Sequence, residues 1–531
     1  MSTFRSKYAR NLGANWIAHG ANIAVMFFLS PFILHTLGQV EYGIWSLLTV
    51  LTGYMGVCDL GVRTSTGRHV TMYLGRGDHS AVGETIRTSI ACFSFLGILA
   101  VVTGLCVGWL FPSLFKSVPS EFGGLAQLLL PLMALGLWMS LLGSVFASVL
   151  TAHDRFDLAR AVDLVILVLR VAVVVLVLSL GFGLIGLVAV ALGRSLLSLV
   201  GNYVLARRTY PELVAWPPRL YRDRLRELLG YGLAASVSVV SLHVIGQTDL
   251  VITGAAIDVE AVTVYSVGAM AVLYSGTFLR HIYFTLFPPI QRAVARNDIA
   301  EGRWLFLRAG RGGLIFGVLV YVGMIVFAEP FIRLWMYGPG FGEEAVRHAA
   351  VVMGILAASR LPLLFVGAGV QLLNAMGHVR LTAAIGALEA VVKLALSVVF
   401  VVVFGWGLVG VAAGTVVGRL LVGTFIVPWQ ACLKVNMSWR KYLVEIGGRG
   451  MLVGLLMLAW CLLVRQIGPA NTWASFFVQV ALATAGYGVL ALWLVVPVSD
   501  RQRIWQRLSP RERARRRSRK AVVTTPDGET V

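Results

Sequence analysis

Acidic residues are scarce in this 531-residue chain. Only 25 Asp and Glu face 45 Lys and Arg, and charged residues of both signs make up just 13% of it. With 58% hydrophobic residues and a mean hydropathy of +0.81, there is too little polar surface to cover a water-soluble globule, which excludes an ordinary soluble enzyme or binding domain. Cysteine is rare as well. Cys58, Cys92, Cys106, Cys432 and Cys461 lie singly in apolar runs without C-x-x-C spacing, so they read as small core residues rather than a disulfide or metal framework. The chain has no G-x-x-x-x-G-K-[ST] and no H-E-x-x-H, which removes the phosphate loop of an ATPase and the helix of a zinc protease. No metal or other cofactor is expected.

What the chain does have is apolar runs of helical spanning length without the alternating polarity of a barrel strand, as in Leu164 to Leu180. The expected class is an all-α polytopic membrane protein. About fourteen spans can be drawn, near 12–34, 41–60, 87–110, 124–150, 161–180, 184–206, 229–256, 261–287, 305–332, 346–373, 381–404, 407–430, 448–467 and 473–497. Arg5, Lys7 and Arg10 precede the first run, which continues past Leu34 without a cleavage site and is read as a span, not a signal peptide. The net charge of +20 suggests nucleic acid until it is placed. On this span map 35 basic residues fall on the side of the N-terminus, four on the other side (Lys116, Arg333, Arg347, Arg465) and six inside spans. The bias puts both termini in the cytoplasm, and no nucleic-acid partner is expected.

One stretch occurs twice. Arg170 leads through Gly181, Gly183 and Gly186 to Gly193 and Arg194; Lys393 leads through Gly405, Gly407 and Gly410 to Gly418 and Arg419. Further matches recur at offsets of 219 to 225, including Leu150-Thr151-Ala152 with Leu373-Asn374-Ala375, and Glu41 with Glu260. The first twelve spans therefore read as two pseudo-symmetric six-helix lobes in one orientation, an arrangement in which transporters place substrate between the lobes near the bilayer middle. The expected divisions are 1–222, 223–435, an extra helix pair over 436–498, and a basic cytoplasmic tail over 499–531. The linker Arg207 to Arg226 is rich in Pro and Arg. The tail, with Arg511, Arg513 and Lys520, reads as a short interfacial helix and then disorder, attracted to anionic membrane lipids. Both hairpin turns match G-x-G-x-x-G, but they lie between spans with no preceding strand, so tight turning explains the glycines. Gly410, Gly414 and Gly418 at intervals of four read as a helix-packing seam.

The basic residues of the repeat lie ~16 to 18 Å from its turn, at mid-depth in a hydrocarbon layer ~30 Å thick. A cation there costs roughly 2.5 to 3.5 kcal/mol on the lenient insertion scale, so these side chains should face protein or water. Arg170, Arg194, Arg360, Lys393 and Arg419 form the main constellation, and Arg280 lies nearer the cytoplasm. Arg360 sits just before Pro362, whose missing amide proton should bend the helix and free carbonyls beside the charge. These cations could pair with acids, Glu389 with Lys393 or Asp163 with Arg170. They outnumber acids at mid-depth, which favours a cavity attracting an anion such as a lipid-borne pyrophosphate. Asp249 and Glu389 are the buried acids able to take a proton or cation during transport, with plain charge pairing as the competing use. No Asp249–Arg280 bridge is expected, because their depths differ by roughly 14 Å at ~1.5 Å per residue. His243 reads as a satisfied interior histidine, and Asp59 as a cap for the loop after it.

Pro31 to Leu34, Leu37-Gly38, Glu41-Tyr42-Gly43-Ile44-Trp45 and Asp59-Leu60-Gly61 with Arg68 resemble the N-terminal signature of bacterial polysaccharide exporters of the O-antigen flippase type. These belong to the multidrug, oligosaccharidyl-lipid and polysaccharide exporter superfamily. Asp249, Tyr265-Ser266-Val267 and Pro288 are similar to its pattern in the second lobe. The resemblance covers about residues 1 to 435. It implies two bundles forming a V around a central cavity, alternating access, and passage of undecaprenyl-diphosphate-linked oligosaccharide to the outer leaflet of the cytoplasmic membrane for polysaccharide (lipopolysaccharide O-antigen) biosynthesis. A glycan polymerase or other polysaccharide-assembly protein is an expected partner. The last two spans depart from the common twelve and are shared by related peptidoglycan-precursor flippases. The alternatives are a cation-coupled multidrug exporter of the same superfamily and a membrane glycosyltransferase or polymerase. For the latter the longest outer segment, roughly Glu329 to Arg347, is short.

Overall fold

The computed structural model describes residues 2–57, 59, 61–498 and 501–502. Cys58 and the basic tail carrying Arg511, Arg513 and Lys520 lie outside the described residues. Within them every regular element is helical, in keeping with a chain whose apolar runs must close their own backbone hydrogen bonds in lipid. Twelve helices are long and apolar enough to cross a membrane, and a bent pair, α11 (Glu343–Ala358) and α12 (Leu363–Ala375), makes a thirteenth. The first of the twelve belongs to α1 (Ser2–Val57), which breaks at Gly38 with φ 76° and ψ 177°, angles that only glycine adopts readily. With α1 divided there, helices lie over each of the fourteen apolar segments expected from the sequence, against twelve to thirteen spans counted by length and apolarity among the described residues.

The remaining helices are α2 (Val62–Gly75), α3 (His79–Leu114), α4 (Ser120–Ala152), α5 (Phe156–Ser179), α6 (Gly183–Thr209), α7 (Arg222–Ala256), α8 (Val259–Thr285), α9 (Phe287–Ala295) and α10 (Ile299–Met336), followed after the bent pair by α13 (Val379–Val398), α14 (Gly407–Leu421), α15 (Gly423–Lys434), α16 (Trp439–Tyr442), α17 (Arg449–Arg465) and α18 (Trp473–Leu494). The short helices α2 and α9 were not anticipated, because neither has an apolar run of spanning length. Each ends in a matching turn. Gly77 (φ 72°) and Asn297 (φ 55°) take the left-handed position, and Asp78 and Asp298 then cap the next helix by accepting from Ala81 N at 2.9 Å and Glu301 N at 2.8 Å. Left-handed residues recur in the same way at Asp154 and Gly377, and at Gly181 with Gly183 and Gly405 with Gly407. The backbone thus repeats at the offset of the sequence repeat. Asp59 acts as expected: its Oδ1 accepts from Gly61 N at 2.9 Å as α2 begins.

Near Gly38 the two halves are sealed together. Thr263 donates to the Gln39 carbonyl at 2.6 Å, and a Cβ on Gly43 would lie 2.2 Å from the Val259 carbonyl oxygen, so glycine is required for α1 and α8 to approach this closely. Trp335 Nε1 donates to the Phe27 carbonyl at 2.7 Å, and His35 Nε2 lies 2.9 Å from the Met336 carbonyl. The pair α17 and α18 packs on α10, where Tyr487 donates to the Leu314 carbonyl at 3.1 Å and Arg311 pairs with Glu445 at 2.7 Å.

Candidate functional site

Pro362 sets up the first group of site residues. Lacking an N–H, it cannot continue α11, and the chain bends by 45° between α11 and α12. Leu363 N bonds to the Arg360 carbonyl, leaving the Ser359 carbonyl free of the helix ladder. Arg419 of α14 fills that vacancy: its Nη1 donates to Ser359 O at 3.1 Å and Oγ at 3.3 Å, while its Nε lies 3.1 Å from Glu389 Oε1. The Arg419 and Glu389 side chains are 4% and 11% exposed, so the pair is out of water.

Lys393 and Asp249 form a second buried pair. The ammonium lies 3.0 Å from Asp249 Oδ1, outside good hydrogen-bond geometry for that oxygen, and donates to the Ile245 carbonyl. Asp249 Oδ2 accepts from Tyr265 at 2.6 Å and Thr415 at 3.2 Å. The glycine seam makes these pairs possible. A Cβ on Gly414 would meet Ser397 Oγ at 2.2 Å, and one on Gly418 would meet Lys393 Cα at 2.9 Å, so α14 lies against α13 closely enough to bring Lys393 and Arg419 side by side. Two sequence expectations are corrected here. Glu389 pairs with Arg419 instead of Lys393, because the hairpin partner reaches the carboxylate; and Asp163 pairs with Arg160, at 2.9 Å, instead of Arg170. No Asp249–Arg280 bridge forms, as expected.

The other cations stand apart. Arg170, Arg194, Arg280 and Arg360 have no carboxylate partner among the described residues. Arg360 Nε is buried and unpartnered, and its guanidinium lies over Gly276 of α8, 3.5 Å from where a Cβ would sit. Arg280, one turn further along α8, is exposed and donates to Thr277 at 3.2 Å. Arg360 and Arg419, with Asp249 and Ser359, line a cavity of about 30 Å³, room for a single water. Arg170 and Arg194 line a separate groove of about 230 Å³ whose other walls are apolar, among them Ile166, Val173 and Val190. Arg170 is aimed inward, with Nη2 4.0 Å from Met26 Sδ of α1 and its charge within reach of Tyr274 on α8. The constellation read as one cluster is thus two groups, α5–α6 and α8–α14.

The two copies of the repeat differ for a traceable reason. Glu389 and Asp249 correspond, at the repeat offsets, to Ile166 and Ser30, so the first copy lacks the two acids that hold the second copy's cations. Gly193, the counterpart of Gly418, has nothing within 4 Å of its Cβ position, so the first hairpin is also looser. Sequence reasoning missed Ser359 and Thr415 as partners, and a bare serine or threonine on an apolar helix carries no signal for either role. His243 is another correction. Its Nε2 is buried without a hydrogen-bond partner among the described residues, packed edge-on to Tyr54 (ring centroids 5.1 Å apart) and over Gly53, because the Tyr54 hydroxyl bonds to Thr248 instead.

Residues 36–343 match a family model described as polysaccharide biosynthesis protein. Over 516 residues the chain is 21% identical to the "uncharacterized membrane protein EpsK" of Bacillus subtilis (strain 168), covering 94% of this chain and 98% of that one. Its fold is similar to that of a multidrug resistance MATE family transporter of the MOP superfamily in an inward-facing conformation, with TM-score 0.67 and 15% identity over 79% of this chain and 94% of that one. It is similar as well to the lipid II flippase MurJ in an inward closed conformation, with TM-score 0.64 and 14% identity over 91% and 98%.

Proposed function

Since the chain belongs to the polysaccharide biosynthesis protein family and has the MOP-superfamily fold, we propose that it is a flippase carrying an undecaprenyl-diphosphate-linked oligosaccharide from the inner to the outer leaflet of the bacterial cytoplasmic membrane. Residues 1–222 and 223–435 act as the two moving lobes, both termini lie in the cytoplasm, and the reading is of a transporter, not an enzyme. The observation that carries it is the apolar-walled groove holding Arg170 and Arg194 without a carboxylate. Uncompensated arginines at mid-depth are expensive, and a diphosphate offers them bidentate partners while the apolar walls suit a lipid. Arg360 and Arg280 extend the basic lining on the other side. Lys393 and Arg419 contribute less, because Asp249 and Glu389 already hold them. Those two acids are the groups through which a proton or cation would couple to transport, by releasing Lys393 or Arg419 when neutralised.

The contacts of Gln39, Phe27 and His35 with the second half form the outer seal of an inward-open state, and alternating access requires them to break. A multidrug exporter is the second reading, favoured by the shared fold; four uncompensated arginines suit an anionic cargo better than a cationic one. The test is Arg170→Gln with Arg194→Gln. Losing two charge-assisted contacts, each worth roughly 1.5–3 kcal/mol, should cut surface glycan by at least about tenfold at unchanged protein abundance. Normal glycan in the double variant, or drug sensitivity with normal glycan in a deletion strain, would sink the reading.

A further inference from the structure

Between α6 and α7 the chain runs through Tyr210 to Tyr221 with no helix, yet it is clamped. Arg87 Nε donates to the Pro217 carbonyl at 2.8 Å, Thr88 Oγ1 reaches the Arg219 carbonyl at 3.4 Å and accepts from Tyr221 N at 3.3 Å, and Arg207 holds the Leu213 carbonyl at 2.9 Å. The guanidinium groups of Arg87 and Arg219 both lie over the Tyr221 ring, at 5.7 and 5.4 Å from its centroid. Leu213 and Tyr210 are buried.

Three apolar side chains of this rigid segment nevertheless point outward: Val214 is 48% exposed, Trp216 78% and Leu220 57%. A segment that could fold its tryptophan inward and instead holds it out is not explained by packing. The height of the segment supplies the explanation. From Thr88 to Leu114, α3 carries no charged residue, ~40 Å at ~1.5 Å per residue and more than a hydrocarbon layer of ~30 Å requires, so Arg87 and Thr88 lie at its edge or up to about 10 Å outside it, in the headgroup layer. The linker atoms bonded to them lie at the same level, in the headgroup layer beside the acyl chains. Around the apolar trio, Arg207, Arg208, Arg219, Arg222 and Arg226 are all exposed and outnumber the exposed acids, which are Asp223, Glu212, 3.3 Å from His79, and Glu227, bound to Arg224 and Tyr73.

We infer that this linker is a membrane-surface anchor: Trp216, Leu220 and Val214 sit among the headgroups of the inner leaflet, and the flanking arginines hold anionic phospholipid. Tryptophan prefers this boundary because its ring is apolar and its N–H polar, and each exposed arginine near an anionic surface adds roughly 1 kcal/mol. The occupant is the bilayer's own lipid, because an apolar rim with more exposed cations than acids around it at the hydrocarbon edge is complementary to an anionic lipid surface.

The test compares full-length protein with Trp216→Phe in nanodiscs of phosphatidylglycerol and phosphatidylcholine, with and without bromine at carbons 6 and 7 of the acyl chains. The difference in emission between the two proteins isolates Trp216. That difference should fall about twofold or more on bromination and respond little to aqueous iodide. In discs of phosphatidylcholine alone, or with Arg219→Gln and Arg222→Gln together, the quenching should weaken. Full emission in brominated discs overturns the anchor, whether iodide then reaches Trp216 (a water-facing loop) or does not (a protein contact). Quenching indifferent to lipid charge and to the arginines overturns the assignment of anionic lipid.

Discussion

Lys393 and Asp249 offer the sharpest test of the division between paired and unpaired cations. Lys393 is 2% exposed and Asp249 7%, so neither charge has bulk water to fall back on. Removing one partner leaves the other buried and uncompensated, a loss of about 3–5 kcal/mol, whereas replacing both with neutral groups of similar volume is often close to neutral. Lys393→Met should therefore destabilise the protein strongly: Asp249 keeps its hydroxyl donors, Tyr265 at 2.6 Å and Thr415 at 3.2 Å, but loses its counter-charge. Asp249→Asn added to that variant keeps an acceptor for both hydroxyls and removes the stranded charge, so the double variant should recover most of the loss. The assay is a thermal-unfolding cycle in detergent over the four proteins, read at a fixed scan rate because unfolding of a chain this large is kinetically controlled. Were Lys393→Met as stable as the parent, or the double variant no better than the worse single one, the pair would not be the charge lock described here.

The helix seam predicts opposite outcomes at two glycines. Gly414→Ala drives a methyl into Ser397 and should cost about 1–3 kcal/mol, while Gly193→Ala meets nothing and should be neutral or slightly stabilising; thermal melts compare them directly. At the start of α7, burial tends to raise the Glu227 carboxyl, but hydrogen bonds from Tyr73 and Arg224 outweigh it and hold Glu227 below the usual carboxylate value of 4.5. A depressed carboxylate stabilises the fold above its unfolded-state value and loses that contribution as pH falls through the folded one. Melting temperature should thus drop more steeply below about pH 4.5 in the parent than in Glu227→Gln, and parallel pH curves would refute the contribution.

Much of the architecture was legible because its cause is local. An uninterrupted apolar run must be helical in lipid, so the spans followed from run length, and the left-handed turn positions followed from Gly181, Gly183, Gly405 and Gly407. The bend at Arg360 followed from Pro362 alone. The short helices α2 and α9 were not legible, since marginal helices of that length owe their stability to what they pack against. Nor was the pairing of charges. Glu389 lies one turn from Lys393 in sequence, yet binds Arg419 thirty residues away.

Composition, periodicity and the duplicated stretch by themselves determined a helical membrane protein with basic side chains inside its apolar runs, because unpaired backbone in hydrocarbon forces a long apolar run to be helical whatever it packs against. Which of those cations are neutralised was decided by tertiary structure alone. Ion pairing depends on distances between helices, and those distances are set by whether a glycine lets two backbones touch, as at Gly418, or leaves open space, as at Gly193.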